Sequence, residues 1–369
     1  MRKVDGKFGF IEDGLKRRTI VLDHCNGLVL LYTGSTAAAT YVCNPATRRW
    51  ARLPACTSRH WTADRHAFLA TSIPSRRHKF SKRRSMEWPP SPWTWPVFSS
   101  RDGQWGKRAF VREGEAAGTA AGLRDNTKYV HHASTLWLSA TYWKGALYLN
   151  FFGEYVLRMC LSSNKYKVIK SPVCQVDSYM GATTYLGKSE KGMRFATVHH
   201  NHCQLRVWVL NESCEATEWV LMHRIDLKPF VWWATELAAM AESSNSEHKE
   251  QYAGAPWLLD ECNHISETKK RNSAWRWQEH ESEWDSDGDD AIDIASIHSD
   301  KESWQRVPRG VDYDILGFHP YKEVVLLHAS YVAVAYHLKN SKVHLLGSLC
   351  PTETIDKSFV YTPCRIGDL

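Results

Sequence analysis

Short apolar runs of strand length recur along this chain and alternate with polar turns, and this pattern limits what the chain can fold into. The runs consist of β-branched, aromatic and aliphatic residues, and Gly, Pro, Asn and Ser bound them, which is the signal of β-strands. Helical periodicity is almost absent from the sequence. The chain is therefore predicted to be all-β.

The predicted strands are grouped in a repeating order. In each repeat an apolar strand precedes a polar turn, and the next strand opens with a large residue, in turn Trp50, Trp105, Tyr166, Trp219 and Val343. The first four of these anchors lie about 55, 61 and 53 residues apart, and the last step is about twice as long. A period near 50 with several strands per unit is typical of kelch-type β-propeller blades. We predict about six blades, with a pair of β-sandwiches as the alternative fold.

The doubled interval contains a region of different composition. Residues at about 240–310 are predicted to form a long, partly disordered acidic insertion, with one further strand at Ala255–Asp260. Acidic residues dominate from Glu279 to Asp300, whereas basic residues cluster from Arg76 to Arg84. Such runs are most simply solvated loops, and partner binding is the alternative interpretation.

The counts of tryptophan and cysteine carry further information. The chain has 17 Trp, and indole rings in such numbers are expected at half-buried, repeated positions where the N–H finds a partner. The 10 Cys contain no Cys-x-x-Cys pair. We find no secretory signal and no apolar run of the roughly 18 residues that a membrane helix needs. These features predict a cytoplasmic and/or nuclear protein with free thiols that behave as small, buried apolar groups, and no association with membranes.

Several segments, taken in order, resemble one known family. They are Asp23–Leu31, Tyr41–Trp50, Glu87–Pro92, Val97–Ser100, Trp143–Tyr148, Leu186–Gly192, Leu205–Leu210, Ile315–Val325 and Ala335–Leu338. Together they resemble the plant F-box-associated β-propellers, the part of F-box proteins that recognises substrates. The resemblance implies a non-enzymatic protein-interaction domain that binds target proteins for a cullin-type (SCF) ubiquitin ligase, without a cofactor.

The start of the chain departs from that family pattern. Relatives carry a helical F-box upstream of the propeller, which docks on the ligase adaptor. Residues 1–21 contain three glycines and no leucine-rich amphipathic pattern, so we expect a short tail there and the propeller over residues 22–369. The adaptor and cullin are then expected as partners only of a longer form with an F-box. The alternative is a free-standing scaffold or decoy that binds the same targets.

A second alternative function is binding of single-stranded nucleic acid. The basic run Arg76–Arg84 precedes Trp88, Trp93 and Trp95. Cationic side chains next to stackable rings are what such binding requires. Tryptophans in Trp-Pro-Pro loops are also ordinary propeller packing, so nucleic acid is not the expected partner.

Three local patterns suggest chemistry and are rejected. Asp23–Cys25 contains an acid, a histidine and a thiol, but adjacent strand residues point to opposite faces, so a turn entrance with a buried Cys25 is expected. His199–Cys203 places four potential zinc ligands too close together to surround an ion, and a hairpin tip is expected. Glu283–Ile294 resembles a calcium loop but lacks the final bidentate glutamate. We therefore predict no catalytic, cofactor or metal residues.

One segment is a candidate for contact with a partner protein. An aromatic residue inside an acidic loop can anchor a basic partner. The candidate residues are Trp284, Asp285, Asp287, Asp289 and Asp290.

Overall fold

The fold consists of four-stranded antiparallel sheets that follow one another along the chain. In a computed structural model of the protein, the described residues are 8–11, 19–33, 39–55, 87–119, 137–151, 154–173, 182–212, 217–243, 292–293, 311, 313–330 and 332–348. These residues contain four such sheets, and the arrangement is that of a β-propeller, which confirms the predicted fold. The kelch type and the total of about six blades stay predictions.

The first sheet shows how the turns recognised in the sequence close its hairpins. Its strands, in order across the sheet, are β1 (Thr19–Cys25), β2 (Leu28–Thr33), β3 (Ala39–Asn44) and β4 (Arg49–Leu53). Asn26 and Gly27 have φ angles of 50° and 78°, so a two-residue turn joins β1 to β2. The side-chain oxygen of Asn44 accepts hydrogen bonds from the main-chain N–H groups of Ala46 and Thr47, at 3.1 and 3.3 Å, which holds the turn before β4.

The second sheet is extended by an additional hairpin. The preceding strands are β5 (Glu87–Trp88), β6 (Trp93–Ser99), β7 (Gln104–Glu113) and β8 (Gly118–Thr119). The sheet itself contains β9 (Trp137–Trp143), β10 (Ala146–Phe151), β11 (Tyr155–Cys160) and β12 (Lys165–Lys170). The β6–β7 hairpin joins it because β7 pairs in parallel with β12, while β5 and β8 form a separate two-stranded ribbon.

The third and fourth sheets follow the same up-and-down order. The third contains β13 (Ala182–Ser189), β14 (Gly192–His199), β15 (Gln204–Glu212) and β16 (Thr217–Asp226). After the short β17 (Ile292–Asp293), the fourth contains β18 (Tyr313–Phe318), β19 (Val324–Ala329), β20 (Val332–His337) and β21 (Lys342–Ser348). β17 pairs with β21 as a fifth strand.

The chain forms two compact units. The first contains Met1–Tyr179, Asn211–Trp219 and Tyr361–Leu369, and the second contains Met180–Leu210 and Val220–Val360. The first unit therefore holds the first two sheets and the tip of the β15–β16 hairpin. Its largest core cluster is mainly aromatic, with Trp88, Trp93, Trp95, Phe110, Phe151 and Tyr166 among its members. The core of the second unit is mainly aliphatic, with Val198, Leu205, Val207, Ile315, Val325, Leu327 and Val334 among its members.

One helix interrupts the sequence of strands, and the strand pattern did not predict it. α1 (Lys228–Ser243) follows β16 directly, and it packs against β19 and β20. Phe230, Val231 and Ala234 are buried at helical spacing, and the Asp226 carboxylate accepts a hydrogen bond from the N–H of Lys228 at the start of the helix. In the part of the chain that the structure describes, no helix has both the length and the apolar character to cross a membrane.

Several predicted features lie outside the described residues. These are the basic run Arg76–Arg84, the strand predicted at Ala255–Asp260 and, apart from the end of α1 and β17, the acidic insertion at about 240–310.

Three of the aromatic anchors join successive parts of the first unit through their polar tips. The indole N–H of Trp105 donates to the carbonyl oxygen of Pro54 at 2.8 Å, and that of Trp219 donates to the carbonyl of Lys170 at 3.0 Å. The hydroxyl of Tyr166 lies 2.8 Å from the carbonyl oxygen of Pro90. Trp105 and Trp219 are half-buried, as predicted for rings with an apolar body and a polar tip.

We expect Trp219→Phe to lower the free energy of unfolding by about 1 kcal/mol, because it keeps an aromatic ring but removes the hydrogen bond to Lys170. Trp143→Phe is the matched control, because the Trp143 indole makes no hydrogen bond within the described residues, and its effect should be clearly smaller. Urea unfolding followed by circular dichroism measures both. Equal losses in the two variants would show that ring size, and not the N–H donor, sets the stability.

Candidate protein-interaction site

The turn between β18 and β19 carries an unusually exposed aromatic side chain. Tyr321 is 64% exposed, the highest value among the large apolar side chains that the structure describes. The turn covers residues 319–323, and we call it the Tyr321 turn. It begins because β18 ends at Phe318, and Pro320 then has no N–H with which to continue a strand.

His319 organises the first part of the Tyr321 turn. Its Nδ1 accepts hydrogen bonds from the N–H groups of Tyr321 and Lys322, both at 3.1 Å. Its own N–H donates to the carbonyl of Val324 at 3.0 Å. Since Nδ1 is an acceptor, a neutral His319 carries its proton on Nε2. These bonds fix the main chain beneath Tyr321, so the backbone of the turn needs little further ordering when a partner binds.

Glu323 fixes the other end of the turn. Its carboxylate forms ion pairs with Arg194 and with Lys191, the latter at 3.0 Å, and the Nε2 of His223 lies 3.5 Å away. The main-chain oxygen of Glu323 accepts a hydrogen bond from the N–H of Leu338 at 2.9 Å. The turn is thus attached to β14, to the turn before it and to β16.

Arg194 is a buried charge inside this arrangement. The residue is only 1% exposed, and its guanidinium lies 5.7 Å from the centre of the Phe318 ring. Its Nε and Nη1 have no hydrogen-bond partner in the described residues. The positive charge of Arg194 is therefore balanced by the Glu323 carboxylate and by the face of the Phe318 ring.

Gly187 makes room for this contact. It lies opposite Arg194 on β13, and a Cβ atom there would be 2.9 Å from Cδ2 of Phe318. Any larger residue would displace the ring on which the guanidinium rests.

Opposing effects act on the pKa of the Glu323 carboxyl. Burial raises the pKa because it disfavours the charged form. A hydrogen bond from Lys191 and the charge of Arg194 lower it, and the result is a pKa below the ordinary value of 4.5. Glu323 is therefore ionised at neutral pH and can hold both cations.

Two lysines are associated with the Tyr321 turn. Lys322 follows Tyr321 in the chain, and Lys191 is half exposed where it meets Glu323. An exposed phenol ring next to Lys322 suits a partner segment that presents an apolar side chain beside a carboxylate.

The sequence predicts a different partner site. Trp284, Asp285, Asp287, Asp289 and Asp290 are outside the described residues, so their role stays a prediction. Tyr321 was not recognised as a candidate. The signal that could have indicated it is an aromatic residue directly after proline in a polar turn between two strands.

The tryptophans of the nucleic-acid alternative are not at the surface. Trp88, Trp93 and Trp95 are all buried, and the centre of the Trp93 ring lies 6.0 Å from that of Trp88 and 4.8 Å from that of Trp95. Because the three rings are buried and pack edge to face against one another, they cannot stack on bases. These three tryptophans therefore do not supply the exposed aromatic rings that binding of single-stranded nucleic acid requires.

The rejected zinc pattern lies where the sequence places it. β14 ends at His199, and His200–His202 form a short 3₁₀ turn before β15, so the hairpin tip is confirmed. The hydroxyl of Tyr313 donates to the carbonyl of His200 at 2.8 Å and to the sulfur of Cys203 at 3.3 Å. In the described ranges, no group of three or more His, Cys, Asp or Glu side chains is arranged to hold a metal ion.

The prediction for Asp23–Cys25 is partly wrong. The three residues end β1, and the carboxylate of Asp23 accepts a hydrogen bond from the main-chain N–H of His24 at 2.9 Å. Cys25 is exposed and not buried, because it is the last residue of the strand and borders the turn. Cys43 and Cys203 are buried as expected, and burial raises the pKa of Cys43 to about 12.

We expect Glu323→Gln to lower the free energy of unfolding at pH 7 by about 3 kcal/mol, because Arg194 would stay buried without a counter-charge. The pKa of Glu323 is lower in the folded state than in the unfolded state. The carboxylate therefore contributes its full stabilisation above about pH 4.5, and the contribution is lost as the pH falls through the folded-state pKa. The difference between the parent chain and the variant should shrink accordingly.

Urea unfolding between pH 7 and pH 3.5 measures this difference. Glu190→Gln is the control, because Glu190 is exposed in the turn between β13 and β14 and makes no ion pair within the described residues. A gap between the parent and Glu323→Gln that stays constant over this range would contradict the assignment.

Comparison with known proteins agrees with the architecture. The model of one protein family, described as "F-box protein At3g26010-like, beta-propeller", matches residues 8–241. The match covers more than half of the chain and includes the first three sheets, whereas the Tyr321 turn lies C-terminal to it. No curated protein matches the chain. With successive four-stranded sheets and this match, the chain belongs to the At3g26010-like F-box protein β-propeller family.

Proposed function

We propose that this chain is a non-catalytic protein-binding propeller that selects a target protein for a cullin-type (SCF) ubiquitin ligase. The family description, an F-box protein β-propeller, supports a role in protein interaction. In the F-box proteins that the chain resembles, the propeller binds the target and an F-box joins the complex to the ligase adaptor. The cytoplasm and/or the nucleus is the proposed place of action.

The observation that carries the proposal is the exposed ring of Tyr321 on a turn that is fixed at both ends. Tyrosine is enriched among the residues that dominate binding energy at protein interfaces. His319 and Glu323 fix the backbone on either side of the ring. A surface of this kind is expected to bind a protein segment without rearranging.

The chemistry of the turn indicates the kind of target segment. Lys191 and Lys322 favour carboxylate or phosphorylated side chains, while the phenol ring favours an apolar neighbour. We therefore propose an acidic segment with an exposed apolar residue as the target. Exposed rim charges mainly raise the association rate, so the binding should weaken as salt increases.

We expect Tyr321→Ala to reduce capture of the target protein at least about tenfold, which is the effect of losing one dominant interface residue. The measurement is quantitative mass spectrometry after crosslinking and purification of the tagged chain from cells. Val111→Ala is the matched control, because Val111 is also a highly exposed apolar residue and lies on β7, away from the turn in sequence. Captured proteins that depend equally on both positions, or on neither, would contradict the site.

Coupling to the ligase is tested by joining an F-box to the N-terminus of the chain. Proteins whose capture depends on Tyr321 should fall in abundance in cells that express the fusion. They should not fall with an F-box variant that cannot bind the adaptor. Capture that persists while abundance stays unchanged would favour the scaffold or decoy function over target delivery.

A further inference from the structure

β16 is the last strand in the order of the third sheet. The order across that sheet is β13-β14-β15-β16, so β16 has a neighbouring strand on one side only within the described residues. The strand is 10 residues long, at the upper end of the usual range. Its outer edge presents a row of main-chain N–H and C=O groups with which another strand can pair.

The side chains at the middle of β16 are apolar and exposed. Among the described residues, five large apolar side chains are strongly exposed, and three of them are consecutive: Val220 at 41%, Leu221 at 49% and Met222 at 48%. Single exposed apolar residues are ordinary, but three adjacent ones on a long edge strand indicate a surface that is covered by a partner.

Charged residues flank this apolar centre symmetrically. Glu218 and Arg224 each lie three residues from Leu221, and strand alternation places both on the same face as Val220 and Met222. Both are exposed, and neither forms an ion pair in the described part of the chain.

We infer that β16 pairs with β16 of a second copy of this chain, antiparallel and about a two-fold axis at Leu221. In this register Leu221 lies opposite its own copy, and Val220 lies opposite Met222. Glu218 lies opposite Arg224, and the two-fold axis repeats this ion pair on the other side of the centre. Residues directly opposite on antiparallel strands are close enough for such pairs to interact.

The charges select this register. A shift by two residues in one direction places Glu218 opposite Asp226, which is a like-charge pair, and Arg224 opposite Val220. A shift by two in the other direction places Glu218 opposite Met222. Of these three registers, only the one centred on Leu221 places Val220 opposite Met222 and the Glu218 of each copy opposite the Arg224 of the other.

The interface stands apart from the proposed function. It is built from the main chain and exposed side chains of β16, and it does not require Tyr321 or any target. A single strand pair buries little area, so a weak dimer that depends on concentration is expected.

The test is a charge exchange in the purified full chain, with sedimentation velocity over a range of concentrations. Glu218→Arg and Arg224→Glu should each raise the dimer dissociation constant about tenfold or more, because each variant places like charges opposite each other twice. A mixture of the two single variants should form a heterodimer, since one chain then carries only arginine and the other only glutamate at these two positions. The double variant Glu218→Arg/Arg224→Glu should dimerise like the parent chain.

A second measurement tests the position of the axis. Leu221→Cys should form an intermolecular disulfide under mild oxidation, because the two copies of this position face each other at a distance that a disulfide can bridge. Arg224→Cys is the control, because its two copies are separated by six residues along the strands, or about 20 Å. Crosslinked peptides are identified by mass spectrometry and compared with the parent chain, which has its own 10 Cys.

The outcomes separate this dimer from its alternatives. Recovery of the dimer in the mixture and in the double variant supports the pairing, and it also shows that the single variants are folded. A parent chain that stays monomeric at about 100 µM overturns it, because the dissociation constant would then lie well above that concentration, too high for the inferred pairing. A dimer that is unaffected by both single variants also overturns it, because another face must then be the interface.

Discussion

The first unit depends on hydrogen bonds from the polar tips of aromatic rings to main-chain carbonyl groups far away in sequence. Trp105 donates to Pro54, Tyr166 to Pro90 and Trp219 to Lys170. Packing of apolar faces is non-directional, so by itself it would let one sheet slide over another. A hydrogen-bond donor at the edge of an aromatic ring fixes the position of that ring. This explains why an aromatic residue recurs at corresponding positions of successive sheets.

In the second unit, contacts that involve charged side chains fix the sheets against each other. Arg194 reaches from β14 to Glu323 and rests on Phe318, and the hydroxyl of Thr183 lies 2.6 Å from the Asp314 carboxylate, which ties the two sheets at another point. A buried guanidinium is stable only when its counter-charge is well placed. The position of Glu323 is therefore set by the core of the unit, and the shape of the Tyr321 turn follows from it. The exposed ring is held by an interaction that is itself almost completely buried.

The sequence predicts the parts of this fold that local chemistry decides. Asn26 and Gly27 close a hairpin because both adopt positive φ, and the Asn44 side chain holds its turn, so these strands could be placed from the sequence. α1 was missed although it carries local helix signals, because Pro229 stands near its start and Ala234–Ala241 are mostly strong helix formers. Phe230 and Val231 precede them and are typical of a strand.

The candidate site was missed because its contacts are distant in the sequence. The order of the Tyr321 turn depends on Arg194, which lies 129 residues from Glu323, and no local pattern reveals that pair. The inferred interface at β16 could not be predicted from the sequence either. The symmetric placement of Glu218 and Arg224 indicates an interface only when β16 is known to be the last strand of its sheet.

One side chain lies near both surfaces, although neither surface requires the other. His223 lies on β16 between the inferred dimer centre and the end of the strand, and its Nε2 is 3.5 Å from the Glu323 carboxylate that fixes the Tyr321 turn. A two-fold pairing of β16 would present two Tyr321 turns on one particle. A target with two acidic segments could then engage both turns, and the second contact would form at the effective concentration set by the linker between those segments. Weak binding at each turn would be sufficient for selective capture, because only a partner with matching spacing would gain from the pair.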